Sequence, residues 1–505
     1  MKTKTMILIL IIALALPLTF AACGGTDDEP GGQQEGAGDG ILPESGEQNG
    51  GGGLTGFEYS FPELNMGGRE FRILNCEPIW NFITQIVIEE MDGEVLNDEI
   101  YTRNKFIEEQ FNINMSEVNV HIDQVESRTR TTVAAGDDTF DIVYCPRSNN
   151  APIGALITQG LFYNLDNIPE INLDGHWWKT STIESSRLGD NNAVYFLQSE
   201  VALMTLQGVW CLFFNETIMQ NIGLDFPYQS VRDGNWTLDE LLSYIKAGMN
   251  LNGDESFTWN SGGSSVYGLT APGQAMAALV TGTDEPYIRK NSDNMPYLSI
   301  ETERFFSGID KIIDITSVTG QFMEANEDRD ASVRNYERLF ENSRSLFIIA
   351  EFKTADLLRE MEDSFGIVPM PKFDASQQNY SHMIFRQCPV LVVPVTNSIQ
   401  SATGIIVDAM EYKSHSEVTP TYFDVSLSFK GLRNDASIEM MHIINNSISL
   451  DLGITYDWTR QLYDDVNSAL QSGRIDIASL IDRRKPTVET GIERTLDAMQ
   501  EMLSQ

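Results

Sequence analysis

The residues best placed to do chemistry in this chain are aromatic rings, amides and one arginine that follow apolar runs. The chemistry they offer is recognition, not bond-breaking. Phe140-Asp141-Ile142-Val143-Tyr144 is a short apolar run of strand type, and Pro146, Arg147, Ser148, Asn149 and Asn150 come directly after it. Asn75 and Cys76 hold the same position after Phe71-Arg72-Ile73-Leu74. Trp177, Trp178, Trp210 and Trp458 add flat apolar faces that each carry one N–H. Rings of this kind cover apolar faces of a guest, and Asn, Gln, Glu and Arg satisfy its polar groups. Motifs for catalysis are absent: the sequence has no HExxH, no GxSxG, no phosphate loop and no EF-hand loop. The five histidines never fall at metal-ligand spacing, so no metal or cofactor is expected. Acidic pairs such as Glu89-Glu90 imitate a glycosidase carboxylate pair, but among 73 acidic residues such pairs arise by chance. Cys76, Cys145, Cys211 and Cys388 are scattered without CxxC spacing. Cys76 and Cys145 end two predicted strands and are expected close together, as a disulfide or as adjacent thiols.

Elements that could position these residues alternate along the chain. A strand from Phe71 is followed by helical spacing over 96–111, with Asn97 and Asp98 as caps, and then by a strand over 113–120. A helix over 125–135 and the strand ending at Tyr144 complete the series. A second series begins with a strand over 209–215. It continues through Asn235-Trp236-Thr237-Leu238-Asp239-Glu240, where Thr237 and Glu240 form a capping box over a core Trp236. Leu346–Ala350 and Val390–Pro394 read as buried strands, 366–371 as extended chain, and 402–505 as mainly helical. Strands alternating with helices predict parallel, doubly wound sheets of an α/β fold. Ligands in such sheets bind beyond the carboxyl ends of the strands.

The chain starts with Met1-Lys2-Thr3-Lys4, an apolar stretch from Met6 to Leu16, and Thr19-Phe20-Ala21-Ala22-Cys23. That order is a secretory signal with a lipid-attachment cysteine, so export, cleavage before Cys23 and lipid anchoring on the outer face of the membrane are expected. Residues 24–56 hold Gly, Gln, Glu and Asp without Lys or Arg, the composition of an extended tether. A hydrophobic content of 42% is that of a globular body. The net charge of −39 opposes binding to nucleic acid or to anionic lipid.

Several stretches together resemble the extracellular solute-binding lipoproteins of ABC importers, in their large carbohydrate-type group. They include Asn97-Asp98-Glu99-Ile100-Tyr101-Thr102-Arg103-Asn104, Ala135-Gly136-Asp137-Asp138-Thr139-Phe140-Asp141-Ile142-Val143 and Gly160-Leu161-Phe162-Tyr163-Asn164-Leu165-Asp166. Asn235 to Leu241, Phe340-Glu341-Asn342-Ser343-Arg344-Ser345-Leu346-Phe347 and Gly366-Ile367-Val368-Pro369-Met370-Pro371-Lys372 follow in order. Asn342 or Ser343 stands where glycine is common in that group. The resemblance implies a two-lobed fold of the type II periplasmic-binding-protein kind, with a hinge and ligand held in the interlobe cleft. It implies no catalytic residue, a sugar or similar polar solute as ligand, and membrane permease subunits as partners of a monomer. Expected boundaries are a signal peptide over 1–22, a lipidated tether over 23–64, one lobe from 65–205 plus 366–412, and the other from 206–365 plus 413–505. Ligand contacts are expected from Tyr144, Arg147, Ser148, Asn149, Trp177, Trp178 and Trp210, and from Glu351, Phe352 and Trp458. Replacing Trp178 or Arg147 is expected to abolish binding without unfolding. Two alternatives are an exported polysaccharide-active enzyme, which needs a buried carboxylate pair in the cleft, and a receptor that feeds a sensor kinase.

Overall fold

Each of two sheets in this computed structural model is built where β-branched and aromatic runs meet helices on both sides. Residues 59–504 are described, apart from 149–151, 190–191, 261, 324–334, 428–434 and 474–475. Cys23, the leader and most of the tether therefore lie outside the described residues, as does Asn149.

The first sheet contains β1 (Arg69–Cys76), β2 (Ile113–Val120) and β3 (Ile142–Pro146). β1 runs parallel to both of its neighbours, and the order is completed by β12 (Pro389–Val392) lying antiparallel against β3. Helix α1 (Val95–Phe111) connects β1 to β2, and α2 (Ile122–Ala134) connects β2 to β3. Asn112 ends α1 in the left-handed conformation that asparagine tolerates. Asn97 and Asp98 do not cap α1, which starts two residues earlier. Asp98 instead accepts the backbone N–H groups of Asp92 and Gly93 and holds the preceding turn. Arg103 and Asn104, buried on α1, both donate to the Ile86 carbonyl and fix the segment that enters the helix.

The second sheet has the order β10-β4-β9-β5-β8. Its members are β4 (Trp210–Asn215), β5 (Tyr267–Thr270), β8 (Phe322–Met323), β9 (Ser345–Glu351) and β10 (Phe365–Val368). β6 (Ile288–Lys290) and β7 (Pro296–Leu298) form a separate hairpin, and β11 (His382–Met383) pairs with β13 (Ile448–Ser449). Antiparallel strands thus enter both sheets, where the sequence predicts parallel ones throughout. The entry follows from the chain crossing twice between sheets, from β3 to β4 and from β10 to β12. Residues 365–368 pair with β4 in the second sheet, so the chain returns to the first sheet only at Pro389. Helix α3 (Leu238–Gly248) is capped by Thr237, whose hydroxyl accepts the Glu240 N–H. The Glu240 carboxylate accepts from Ser230 rather than closing the box. Trp236 is fully buried and donates to the Pro369 carbonyl at 2.8 Å. Ser343 takes the left-handed conformation (φ 58) that glycine would take without strain, and its hydroxyl is bonded to Asp363.

After β12 the chain is helical. Helix α4 (Gln400–Lys413), one π-helical turn (Ser414–Val418) and α5 (Thr419–Leu427) pack on α1. Helix α6 (Asp435–Asn446) packs on β10, and α7 (Arg460–Gln471) packs on α8 (Ile477–Ser504). One apolar cluster fills the space between the first sheet, α1 and α4, around Phe71, Ile73, Ile107, Phe111 and Ile406. A larger one runs from the opposite face of that sheet, at Leu74, Val143 and Cys145, into the second sheet at Phe213, Phe347 and Ile367. Cys76 and Cys145 lie on adjacent strands as free, buried thiols, and burial pushes Cys76 up to about 12.

Candidate functional site

The segments after β3 and β9 are joined by backbone hydrogen bonds to the chain that enters β4 and β12, and the loop after β1 is tied to them through side chains. Val209 bridges Ile384, Phe385 N–H donates to the Gly208 carbonyl at 2.7 Å, and Phe352 N–H donates to the Val209 carbonyl at 2.8 Å. Arg147 N–H and Ser148 N–H donate to the carbonyls of Cys388 and Arg386. Gly208 is required here: a Cβ would lie 2.4 Å from the Cys388 sulfur. The junction of the two sheets is thus the place where the loops after strands of both converge.

The loop after β1 reaches across this junction. Trp80 and Asn81 both have positive φ (52° and 61°), which a bulky aromatic residue seldom adopts. This turn presents the Trp80 ring at 45% exposure, edge-on to Phe385 at 5.7 Å. Its carbonyl accepts from Lys353 Nζ, just beyond β9, at 2.7 Å. The same ammonium sits 3.6 Å above the centre of the Phe82 ring, which stacks on Phe385. Ile83 N–H donates to Gln207 Oε1 at 2.7 Å.

Several polar atoms at the junction are buried without a hydrogen-bond partner among the described residues. They are Arg147 Nε and Nη1, Gln207 Nε2, Trp210 Nε1 and Gln387 Oε1. Arg147 is 3% exposed, and among the described residues its side chain makes one hydrogen bond, from Nη2 to the Ile384 carbonyl at 3.3 Å. Burial pulls its guanidinium downward, opposed by the nearby Cys388, Asp451 and Tyr463. Native interiors rarely leave such groups unpaired, so the set marks a place where a polar guest or water completes the bonding.

Arg147, Ser148, Trp210, Glu351 and Phe352 are brought together here. Trp210 and Glu351 face each other across the β4–β9 pair, and Phe352 packs on Tyr422 and Phe423 of α5. Tyr144, Trp177, Trp178 and Trp458 have other roles. Strand alternation turns Tyr144 to the opposite face of the first sheet, where its hydroxyl lies 3.1 Å from Ser199 Oγ. The indole N–H groups of Trp177 and Trp178 both donate to one oxygen of Asp408 on α4, at 3.0 and 2.9 Å. Trp458 donates to Thr495 and stacks on Tyr456 beneath α8. These four side chains are buried and their polar atoms are already used by the protein. Sequence reading missed Trp80, Gln207, Lys353 and Gln387. The rule that pointed to Arg147 also points to Trp80, four residues past the end of β1.

A second polar cluster holds the segment that crosses from the first sheet to β4. The Glu411 carboxyl accepts from Ser199 Oγ at 2.5 Å and from Glu200 N–H at 2.8 Å. Glu200 faces Lys179 at 3.4 Å, His415 at 3.0 Å and Thr419 at 2.9 Å. Burial, then the charge of Glu200, pushes Glu411 up to about 8. Burial also acts on Glu200, but Lys179, His415 and Thr419 outweigh it and hold that carboxylate low. Both Glu411 oxygens and Glu200 Oε2 accept protein hydrogen bonds, whereas Glu200 Oε1 has only the Lys179 ammonium at 3.4 Å and no hydrogen bond. Among the described residues there is no group of three or more His, Cys, Asp or Glu side chains that could hold a metal. Nor is there a helix among them long and apolar enough to cross a membrane.

No family model matches the chain. No curated protein matches it either. Solved structures do. The galacto-N-biose/lacto-N-biose I-binding protein of the ABC transporter from Bifidobacterium longum is 12% identical with a TM-score of 0.56, over 85% of this chain and 98% of that one. The sugar-binding protein MalE from Xanthomonas citri is 12% identical with a TM-score of 0.56, over 86% and 99%. The GacH receptor of Streptomyces glaucescens, solved unliganded and with acarbose, is 11% identical with a TM-score of 0.53, over 85% and 99%. The chain therefore has the two-lobed, periplasmic-binding-protein-like α/β fold of these proteins.

Proposed function

We propose that this chain is a lipid-anchored extracellular solute-binding protein. It captures a carbohydrate or similar polar solute between its lobes and delivers it to an ABC permease. One observation carries the reading: buried, unpartnered polar atoms of Arg147, Gln207, Trp210 and Gln387 gather beside the exposed Trp80 ring where the two sheets meet. A sugar supplies what this place lacks, hydroxyls for the orphan atoms and a C–H face for the indole. The neighbours in fold named above bind sugars or acarbose, which supports that class of ligand. Binding between lobes needs no bond-breaking group, and closure follows when one ligand touches both.

The first lobe would comprise the first sheet with α1, α2, α4 and α5. The second would comprise the second sheet with α3 and α6 to α8. Cys23 would carry the lipid, and the acidic tether would hold the receptor near its permease at high effective concentration. A thermal-shift screen of the full chain over mono- and oligosaccharides, with peptides as the contrast, tests the reading. A ligand at about 100 times its Kd adds roughly 2.7 kcal/mol of stability. A shift with peptides and none with any sugar would remove the carbohydrate assignment. Mass analysis of the native N-terminus tests the anchor.

A further inference from the structure

The orphan atoms at the junction are unequal in kind. Arg147 Nε and Nη1, Gln207 Nε2 and Trp210 Nε1 are donors, and Gln387 Oε1 stands against them as an acceptor. Arg147, Gln207 and Trp210 are each more than nine-tenths buried. They also belong to segments joined by backbone bonds: Arg147 reaches the Ile384 carbonyl, Ile384 bridges Val209, and Gln207 and Trp210 flank that bridge. A neutral sugar gives as well as takes hydrogen bonds, because every hydroxyl is a donor with two lone pairs. A site matched to it offers carboxylates and carbonyls alongside donors. An ionised carboxylate only accepts, at about four lone-pair positions, and suits a donor-rich wall.

Charge argues the same way. Guanidinium is the one cation here that does not shed its proton to relieve burial. Lys353 is engaged with the Trp80 carbonyl, and Arg386 is paired with Asp464 at 3.3 Å. Asp451 lies near Arg147, but its Oδ1 accepts the Gly453 N–H at 2.7 Å, and it makes no hydrogen bond to Arg147 among the described residues. Glu351 is half-buried at the end of β9. The negative charge on the rest of the molecule is screened beyond about 8 Å at physiological ionic strength and does not decide what Arg147 meets.

We infer that the solute is an acidic sugar of the uronic acid class, whose carboxylate is received by Arg147. This rests on the carbohydrate reading above. The test is calorimetric titration of the full chain with uronic acids and short oligouronates of gluco, galacto and manno configuration. Each acid is compared with its methyl ester and its neutral parent sugar. The expected result is that at least one acid binds about 10- to 100-fold more tightly than its own ester and parent, the usual worth of a charge-assisted bond to a buried partner. In Arg147→Gln the preference of acid over ester should vanish. The ester comparison uses the unaltered protein, so it decides the matter even if that variant fails to fold. Equal binding of acid, ester and parent overturns the inference and leaves the sugar-binding reading standing. Binding by no acid also overturns it, while the broader reading falls only if the neutral panel is silent as well.

Discussion

Trp80 and the Trp177–Trp178 pair show how one residue type serves opposite ends. Trp80 is nearly half exposed beside unpaired polar groups, so Trp80→Ala should weaken solute binding about tenfold, the loss of roughly 1.4 kcal/mol of ring contact. The melting temperature should move by no more than about 2 °C, since little packing is lost. Calorimetric titration beside a thermal melt separates the two. Trp177 and Trp178 share Asp408 with the Tyr59 hydroxyl and the Asn172 N–H, so one carboxylate collects four donors. Asp408→Ala strands those donors and should cost about 3–5 kcal/mol in urea unfolding. Trp178→Ala should cost a similar amount through its cavity, with solute affinity of the folded fraction retained. That outcome replaces the expectation that Trp178 contacts solute. Its burial could not be read from Trp177-Trp178 alone, because Asp408 lies 230 residues further along the chain.

At the scale of elements, the π-helical turn between α4 and α5 brings His415 and Thr419 onto Glu200 and ties the crossing segment to these helices. The titration of this cluster has a definite sign. Glu411 is raised above its unfolded value, so the folded state holds the extra proton between about pH 4.5 and pH 8. Its contribution is complete below that window and is lost as pH rises through it, at up to about 1.4 kcal/mol per pH unit. His415 is also raised: burial opposes its charge, but Glu200 prevails, so its contribution too is lost toward alkaline pH. Glu200 is depressed, so its contribution is complete above the unfolded value near pH 4.5 and is lost progressively as pH falls from there to about 2. Urea unfolding measured from pH 5 to 8.5 should therefore show stability falling with pH. Glu411→Gln, which keeps the neutral form, should flatten the curve, and an unchanged slope would discard this account. The helices and strands were themselves legible, because apolar periodicity is a local property. Capping was less so. Thr237 caps as its spacing implies, whereas Asp98 serves the turn before the helix, a choice made by how the chain arrives from Glu90.

For the whole molecule, the contact of Lys353 with the Trp80 carbonyl and the Phe82 ring is a strap between the two sheets. Lys353→Ala removes it and should favour an open arrangement. Small-angle scattering should then give a larger radius of gyration without solute, and solute should restore the compact form at a cost in affinity. An identical radius for both proteins without solute would show that the strap does not hold the lobes. The same contact explains why the junction was only half legible. Arg147, Ser148, Glu351 and Phe352 lie at or just beyond strand ends and Trp210 begins a strand, so local pattern singles them out, whereas Gln207 and Gln387 lie on crossing segments that carry no pattern of their own.

The sequence by itself determined the α/β class and the two strand–helix series, since each is written in local composition and spacing. The tertiary structure decided which face each strand shows, where antiparallel strands enter and which tryptophan stays exposed. Those depend on pairings between segments more than a hundred residues apart, such as Trp210 with Glu351 and Trp178 with Asp408. A side chain's chemistry is fixed by its type, but its availability is fixed by what the fold has already paired with it.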